Sequence, residues 1–222
     1  MHNKKHIIIY SHGFGVEKDD RDLFTDLASE FSSSLNIMFD YNLVDKANNT
    51  LIVTSLRQQS RKLTEEINKY FSKYPGSVID LVCHSQGCVV AAASAPTAIR
   101  KTIFLAPPDN LDINKLNAKF NRPGSHIDIN GESRLVRRDG TTTIVPKAYW
   151  DSIKNLQLFS LYNRFCKSTG ITIIEATDDE VLGQTDFSKA DETIGLQSIK
   201  GDHNFTGSAR SELKESVREL LK

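Results

Sequence analysis

The segment Val78–Cys83 constrains the fold of this chain more than any other. It is apolar almost throughout, interrupted only by Asp80, and is bounded by Pro75-Gly76 before it and His84-Ser85-Gln86-Gly87 after it. A short run that is apolar on both faces is the pattern of a central strand in a parallel sheet covered on both sides. Gln86–Ala95, which follows, is rich in small residues and reads as a helix. The strand pattern recurs at Lys5–Tyr10, Leu35–Tyr41, Thr102–Ala106, Ile171–Ala176 and Thr193–Ile199. Helical periodicity fills the intervals. Asp20–Ser33 carries Leu23, Leu27 and Phe31 on one face, widened by Phe24 and Ala28. Asp19, Asp20 and Asp22 sit at its positive end, where carboxylates are favoured. Ser55–Tyr74 turns Leu56, Leu63, Ile67, Tyr70 and Phe71 inward, opens with the capping-box spacing of Ser55 and Gln58, and stops at Pro75-Gly76. Ala209, Leu213, Val217, Leu220 and Leu221 mark a last amphipathic helix. The alternation predicts a single α/β domain over residues 1–222, with a mainly parallel central sheet and helices on both faces.

One stretch breaks the rhythm. Pro107–Pro146 is polar, and about 40 residues is too long for a plain connection. It reads as a lid or cap insertion at about 107–150 that covers the functional edge of the sheet. Arg134–Arg138 and Thr141–Val145 flank Asp139-Gly140, a pair suited to a type I′ hairpin turn. Arg134, Arg137, Arg138 and Lys147 form either a basic patch or a solvated hairpin face, the second being favoured. Tyr149 and Trp150 open the next helix and either wall a pocket or pin the cap to the core. His126 lies within the insertion and reads as solvated.

Composition narrows the partners. The 222 residues carry 28 Lys and Arg against 28 Asp and Glu, a formal net charge of zero, which argues against a general nucleic-acid binder. No apolar run approaches the ~18–20 residues that span a bilayer. Ile7–Tyr10 is too short for a signal-peptide core. Three cysteines, Cys83, Cys88 and Cys166, suit a reducing compartment, and a zinc site lacks ligands. The expectation is a soluble cytoplasmic protein without a metal.

The turn Cys83-His84-Ser85-Gln86-Gly87 resembles the nucleophile elbow, G-x-S-x-G, of α/β-hydrolase-fold serine hydrolases, with Cys83 in place of the first Gly. A strand-to-helix turn this tight needs small residues two before and two after the Ser. The helix N-terminus behind the hydroxyl favours developing negative charge. His84 points to the other side of the strand and reads as structural. His12-Gly13-Phe14, at the end of the first strand, resembles the H-G segment that lines the oxyanion hole of the same superfamily. The resemblance implies backbone N–H donors on Phe14 and Gln86, with His12, Tyr149 and Trp150 as candidate substrate contacts. The same segment is also a partial dinucleotide motif, Gly13-Phe14-Gly15, with Asp40 ending the second strand. Lys18 stands where its last Gly belongs, and the carboxylates of Asp19, Asp20 and Asp22 would repel a pyrophosphate.

Two later loops complete the resemblance. Thr177-Asp178-Asp179 follows the strand Ile171–Ala176; Ala176 stands at the Gly of the family's G-x-x-D, so Asp179 matches the acid, with Asp178 as runner-up. Gly201-Asp202-His203 follows the last strand and resembles the histidine loop. Over nearly its whole length the chain looks like a small α/β-hydrolase-fold protein, similar to small intracellular esterases, cinnamoyl esterases among them, and to some serine peptidases. This implies a Ser85–His203–Asp179 triad that cleaves a small or medium carboxylic ester through an acyl-enzyme, without metal or organic cofactor. Rate would rise with pH as His203 loses its proton. Two alternatives stay open: a peptidase or amidase with the same triad, and a ligand-binding protein without catalysis. The lid lacks the acidic cluster that would hold a free amine, since Arg134, Arg137 and Arg138 stand against Asp128 and Glu132.

Overall fold

In the computed structural model, residues 4–111, 122–137 and 139–222 are described; His2 and Arg138 lie outside them. The main sheet has the strand order β10-β9-β6-β5-β1-β2 and every neighbouring pair is parallel. Its strands are β1 (His6–Ser11), β2 (Leu35–Met38), β5 (Val78–His84), β6 (Lys101–Leu105), β9 (Gly170–Ala176) and β10 (Gly195–Ile199). The apolar run that demanded two covered faces is therefore one of the two central strands. Successive residues of a strand serve opposite cores. Ile7 and Ile9 of β1, with Leu81 and Cys83 of β5, pack under α2 (Leu56–Lys73), α3 (Gln86–Ser94), α4 (Lys147–Ile153) and α5 (Leu158–Phe165). Ile8, Tyr10 and Val82 pack under α1 (Leu23–Ser29) and α6 (Ser208–Leu220) on the other face. Both thiols of the elbow region, Cys83 and Cys88, are buried and unpaired. Among the described residues no helix is long and apolar enough to cross a membrane.

Several expectations need correction. The helix placed at Asp20–Ser33 is a 3-10 turn, Asp20–Asp22, followed by the short α1; Arg21 and Asp22 both take positive φ, at 54° and 55°. Asp19 Oδ1 accepts the amides of Phe24 and Thr25 at 2.8 and 3.3 Å, so one carboxylate satisfies the first turn and the chain kinks ahead of it. Phe71 is 48% exposed. In the last turns of α2, Tyr70 and Tyr74 pack against the core instead. The capping box of Ser55 and Gln58 is present.

The cap is not self-contained. Its hairpin, β7 (Ser133–Val136) and β8 (Thr142–Val145), joins β3 (Leu43–Asp45) and β4 (Thr50–Ile52) in a second sheet of order β3-β4-β8-β7. Thr50 to Ile52 pair in parallel with Thr142 to Ile144. Residues on both sides of α2 in sequence thus build the cap. The hairpin turn also differs from a two-residue type I′ turn. Arg137 N donates to Thr141 O at 2.8 Å, enclosing a three-residue loop in which Gly140 alone among the described residues takes positive φ, at 84°. Gly140 N donates to Arg137 O at 3.2 Å, so a left-handed Gly closes this longer loop.

At the edge of the sheet where the strands begin, buried Asp80 gathers four donors. They are Arg100 Nε and Nη2, the Lys101 amide and His6 Nε2, all within 3.0 Å. Arg100 also donates to Leu221 O at 2.7 Å, so this cluster joins β1, β5, β6 and the chain beyond α6.

Candidate active site

In a parallel sheet all strands end on the same side, and loops there converge on one crevice. Four loops matter: His12–Gly15 after β1, Ser85 after β5, Thr177–Gly183 after β9 and Lys200–Phe205 after β10.

Ser85 connects β5 to α3 with φ 53° and ψ −123°. A non-glycine residue held there is strained by roughly 1–3 kcal/mol, and such strain is kept where the surroundings over-determine it. The close approach that forces the turn is visible at Gly87. A Cβ built on that residue would overlap the Ser11 carbonyl and reach within 2.8 Å of the His12 carbonyl. Cys83, at the other small position, is fully buried. The loop after β1 lies against the same turn: a Cβ on Gly13 would come within 3.2 Å of Ser85 Cβ.

Asp179 and His203 meet in the crevice. His203 Nδ1 donates to Asp179 Oδ2 at 2.6 Å, which leaves the lone pair on Nε2. The other carboxylate oxygen of Asp179 accepts the Val181 and Leu182 amides, each at 2.7 Å. Burial pushes the Asp179 carboxyl up. The His203 hydrogen bond and charge, with the two amides, outweigh it and hold the carboxyl below the usual range. Asp178 is exposed, its amide bonded to Gly201 O at 3.0 Å. The geometry thus brings Asp179 to the histidine and leaves Asp178 outside.

Other sequence candidates take supporting positions. His12 is buried and commits both ring nitrogens to backbone: Nδ1 donates to Gly13 O and Nε2 accepts from the Tyr41 amide, each at 3.0 Å. Both ring nitrogens are thus engaged with the backbone of the loops that flank the crevice. Tyr149 and Trp150 are both 3% exposed. Tyr149 donates to Gln86 Oε1 at 3.1 Å and Trp150 Nε1 to Ser133 Oγ at 3.0 Å, so both rings pin the cap instead of facing a solvent-filled pocket. Arg134 and His126 are exposed, whereas Arg137 turns inward. Among the described residues no group of His, Cys, Asp and Glu could hold a metal ion.

Three partners of the histidine loop carry no local sequence signal. His84 packs against His203 with ring centroids 4.8 Å apart at an angle of 51° and donates Nε2–H to the His203 carbonyl at 2.9 Å. Glu180 accepts the His203 amide at 3.0 Å. Arg210 of α6 donates to the carbonyls of Asn204 and Phe205 at 2.9 and 3.1 Å.

Burial lowers His12 to about 4 and His84 to about 3. Both imidazoles are therefore neutral in the fold and charge only on unfolding in acid. Below a free-imidazole value of about 6.5 the unfolded chain binds protons that the folded chain refuses, so stability falls as pH drops. Each group contributes about 1.4 kcal/mol per pH unit until its folded value is reached. Asp179 acts in a lower window: its stabilisation is present above the ordinary carboxylate value of about 4 and is lost as pH falls through its depressed folded value. Urea unfolding at about pH 6.5 and pH 5 should differ by about 3 kcal/mol from the two imidazoles, the slope being half its full value at about pH 6.5 where the unfolded imidazole is half protonated. Equal midpoints at the two pH values would contradict their neutral burial.

No family model matches the sequence, and no curated protein does. Solved structures do. Est1E from Butyrivibrio proteoclasticus with ferulic acid bound superposes with a TM-score of 0.74 at 17% identity, over 97% of this chain and 88% of that one. The esterase domain of a Rhodothermus marinus protein gives 0.64 at 14% identity, covering 98% and 88%. The α/β hydrolase GrgF from Penicillium sp. sh18 gives 0.68 at 17% identity, covering 99% and 90%. The chain has the α/β-hydrolase fold. Identities this low speak to the fold alone.

Proposed function

We propose that the protein is a serine hydrolase that cleaves a small or medium carboxylic ester through an acyl-enzyme on Ser85. One observation carries this reading. A serine in a strained strand-to-helix turn shares a sheet edge with a histidine whose Nδ1 is held, at 2.6 Å, by a buried carboxylate. The esterase domain and the ferulic-acid complex among the similar structures support an ester as substrate.

The chemistry follows from the side chains. His203 Nε2 takes the Ser85 proton as Oγ attacks the ester carbonyl. Asp179 keeps the imidazole in the Nδ1–H tautomer and stabilises the imidazolium. The amides of Phe14 and Gln86 receive the developing oxyanion, Gln86 at the N-terminus of α3 where the helix dipole adds to its field. His203 then protonates the departing alcohol, and water repeats the cycle on the acyl-enzyme. His84 keeps its ring neutral beside His203, so it adds no second positive charge when His203 is protonated.

A panel of p-nitrophenyl esters of increasing acyl length tests this function, with Asp179→Asn as the discriminating variant. The amide side chain favours the wrong tautomer of His203, and kcat should fall about 10³–10⁴-fold with the fold retained. Undiminished turnover in Asp179→Asn would remove Asp179 from the mechanism.

A further inference from the structure

Two cap residues grip the segments that carry Phe14 and Gln86. Arg137, at the end of β7, donates Nη2 to the Gly15 carbonyl at 3.0 Å and Nε to Thr143 Oγ1 on β8 at 2.9 Å. A guanidinium anchored on the hairpin thus holds the carbonyl one residue beyond Phe14. Tyr149, on α4, does two things at once. Its ring packs against the Phe14 ring, centroids 5.2 Å apart, and its hydroxyl donates to Gln86 Oε1 at 3.1 Å. Gln86 Nε2 donates onward to Gln59 Oε1 at 2.9 Å, and Gln59 Nε2 to Thr54 O at 2.7 Å. Burial pushes the Tyr149 phenol up, so it stays a donor at every working pH. The hydrogen-bond chain is buried from Tyr149 through Gln86 to Gln59.

From this geometry we infer that Arg137 and Tyr149 are positioning residues that set the oxyanion hole from the cap, one holding the loop after β1, the other joining that loop to the nucleophile turn. This assignment rests on the serine-hydrolase reading above. Its physical basis is the short range of the effect. Oxyanion donors must lie about 2.7–3.1 Å from the oxygen as it becomes charged, and a displacement near 1 Å costs up to about 100-fold in rate. Ground-state binding makes no such demand. The cap of this protein is then a working part of the catalytic framework as well as a cover.

The test compares Tyr149→Phe, Arg137→Met and Arg137→Lys with the wild type, using Arg134→Gln as a control on an exposed cap arginine. Each is assayed for kcat and KM on a p-nitrophenyl ester and for affinity toward an alkylboronic acid, whose tetrahedral serine adduct directs an oxygen into the hole. Tyr149→Phe keeps the ring on Phe14 and removes only the hydroxyl. Expected for Tyr149→Phe and Arg137→Met is a fall in kcat of about 10- to 100-fold with KM within about three-fold, and a parallel loss of boronate affinity. Arg137→Lys should recover part of the loss, since an ammonium still donates to Gly15 O, and Arg134→Gln should match the wild type. Variants that turn over and bind boronate within two-fold of an active wild type would overturn the inference alone. A folded wild type that neither cleaves esters nor forms a boronate adduct would overturn the serine-hydrolase reading, and the inference with it.

Discussion

Ser85→Ala should lose ester turnover by about 10⁴-fold or more while its melting temperature stays within a few degrees of the wild type. On the proposed mechanism the loss is large because the hydroxyl is the atom that forms the acyl bond; what remains is the rate that binding and oxyanion donors give to water. The fold should survive because Ala keeps the Cβ and the same positive φ, and the turn is held by its backbone hydrogen bonds. The Ser85 amide donates to Leu105 O at 2.9 Å, and its carbonyl accepts from Cys88 N at 3.0 Å; both are backbone groups that the substitution leaves in place. Steady-state kinetics beside a thermal melt separates the two effects. Turnover near the wild-type rate in folded Ser85→Ala would show that another group performs the chemistry.

Gly87→Ala should be the most damaging small substitution in the molecule. The new methyl would meet the Ser11 carbonyl and carbon and the His12 carbonyl, all backbone atoms, where no side chain can swing aside. Either β1 moves away from α3 or the nucleophile turn opens. Overpacking of this kind costs about 3 kcal/mol, the upper end of the usual range, or roughly 6–12 °C in Tm for a chain of this length. Because Ser11 and His12 lead into the loop that carries Phe14, any variant that stays folded should also lose activity. Unchanged Tm and kcat in Gly87→Ala would mean that the turn is not held by this contact.

The central strands, the turn at Ser85 and the helices α2 and α6 were legible because their signals are local. Val78–Cys83 is apolar on both faces since it lies between two cores, and a tight turn admits only small neighbours around Ser85. The family resemblance, read with chain order, anticipated that Asp179 and His203 would meet, each lying just past the end of a strand in the same parallel sheet. What escaped depends on distant partners. β3 and β4 are three residues each, and β4 exists through its pairing with the cap hairpin ninety-odd residues later; such short strands leave no periodicity to read. Arg137 was indistinguishable in sequence from a solvated hairpin arginine until its contact with Gly15 was known. His12 looked available because its two backbone partners, Gly13 O and the Tyr41 amide, are set by the packing of β1 against the chain after β2. His84 supports the histidine loop through a backbone carbonyl, a contact set by a residue more than a hundred positions away.

Labelling with a fluorophosphonate, followed by mass spectrometry of the peptides, tests the central claim most directly. The probe reports an activated serine whatever the natural ester is. A single adduct on Ser85, absent from His203→Ala, is the expected result. Folded protein that carries no adduct on Ser85, or that is labelled there equally fast without His203, would contradict it.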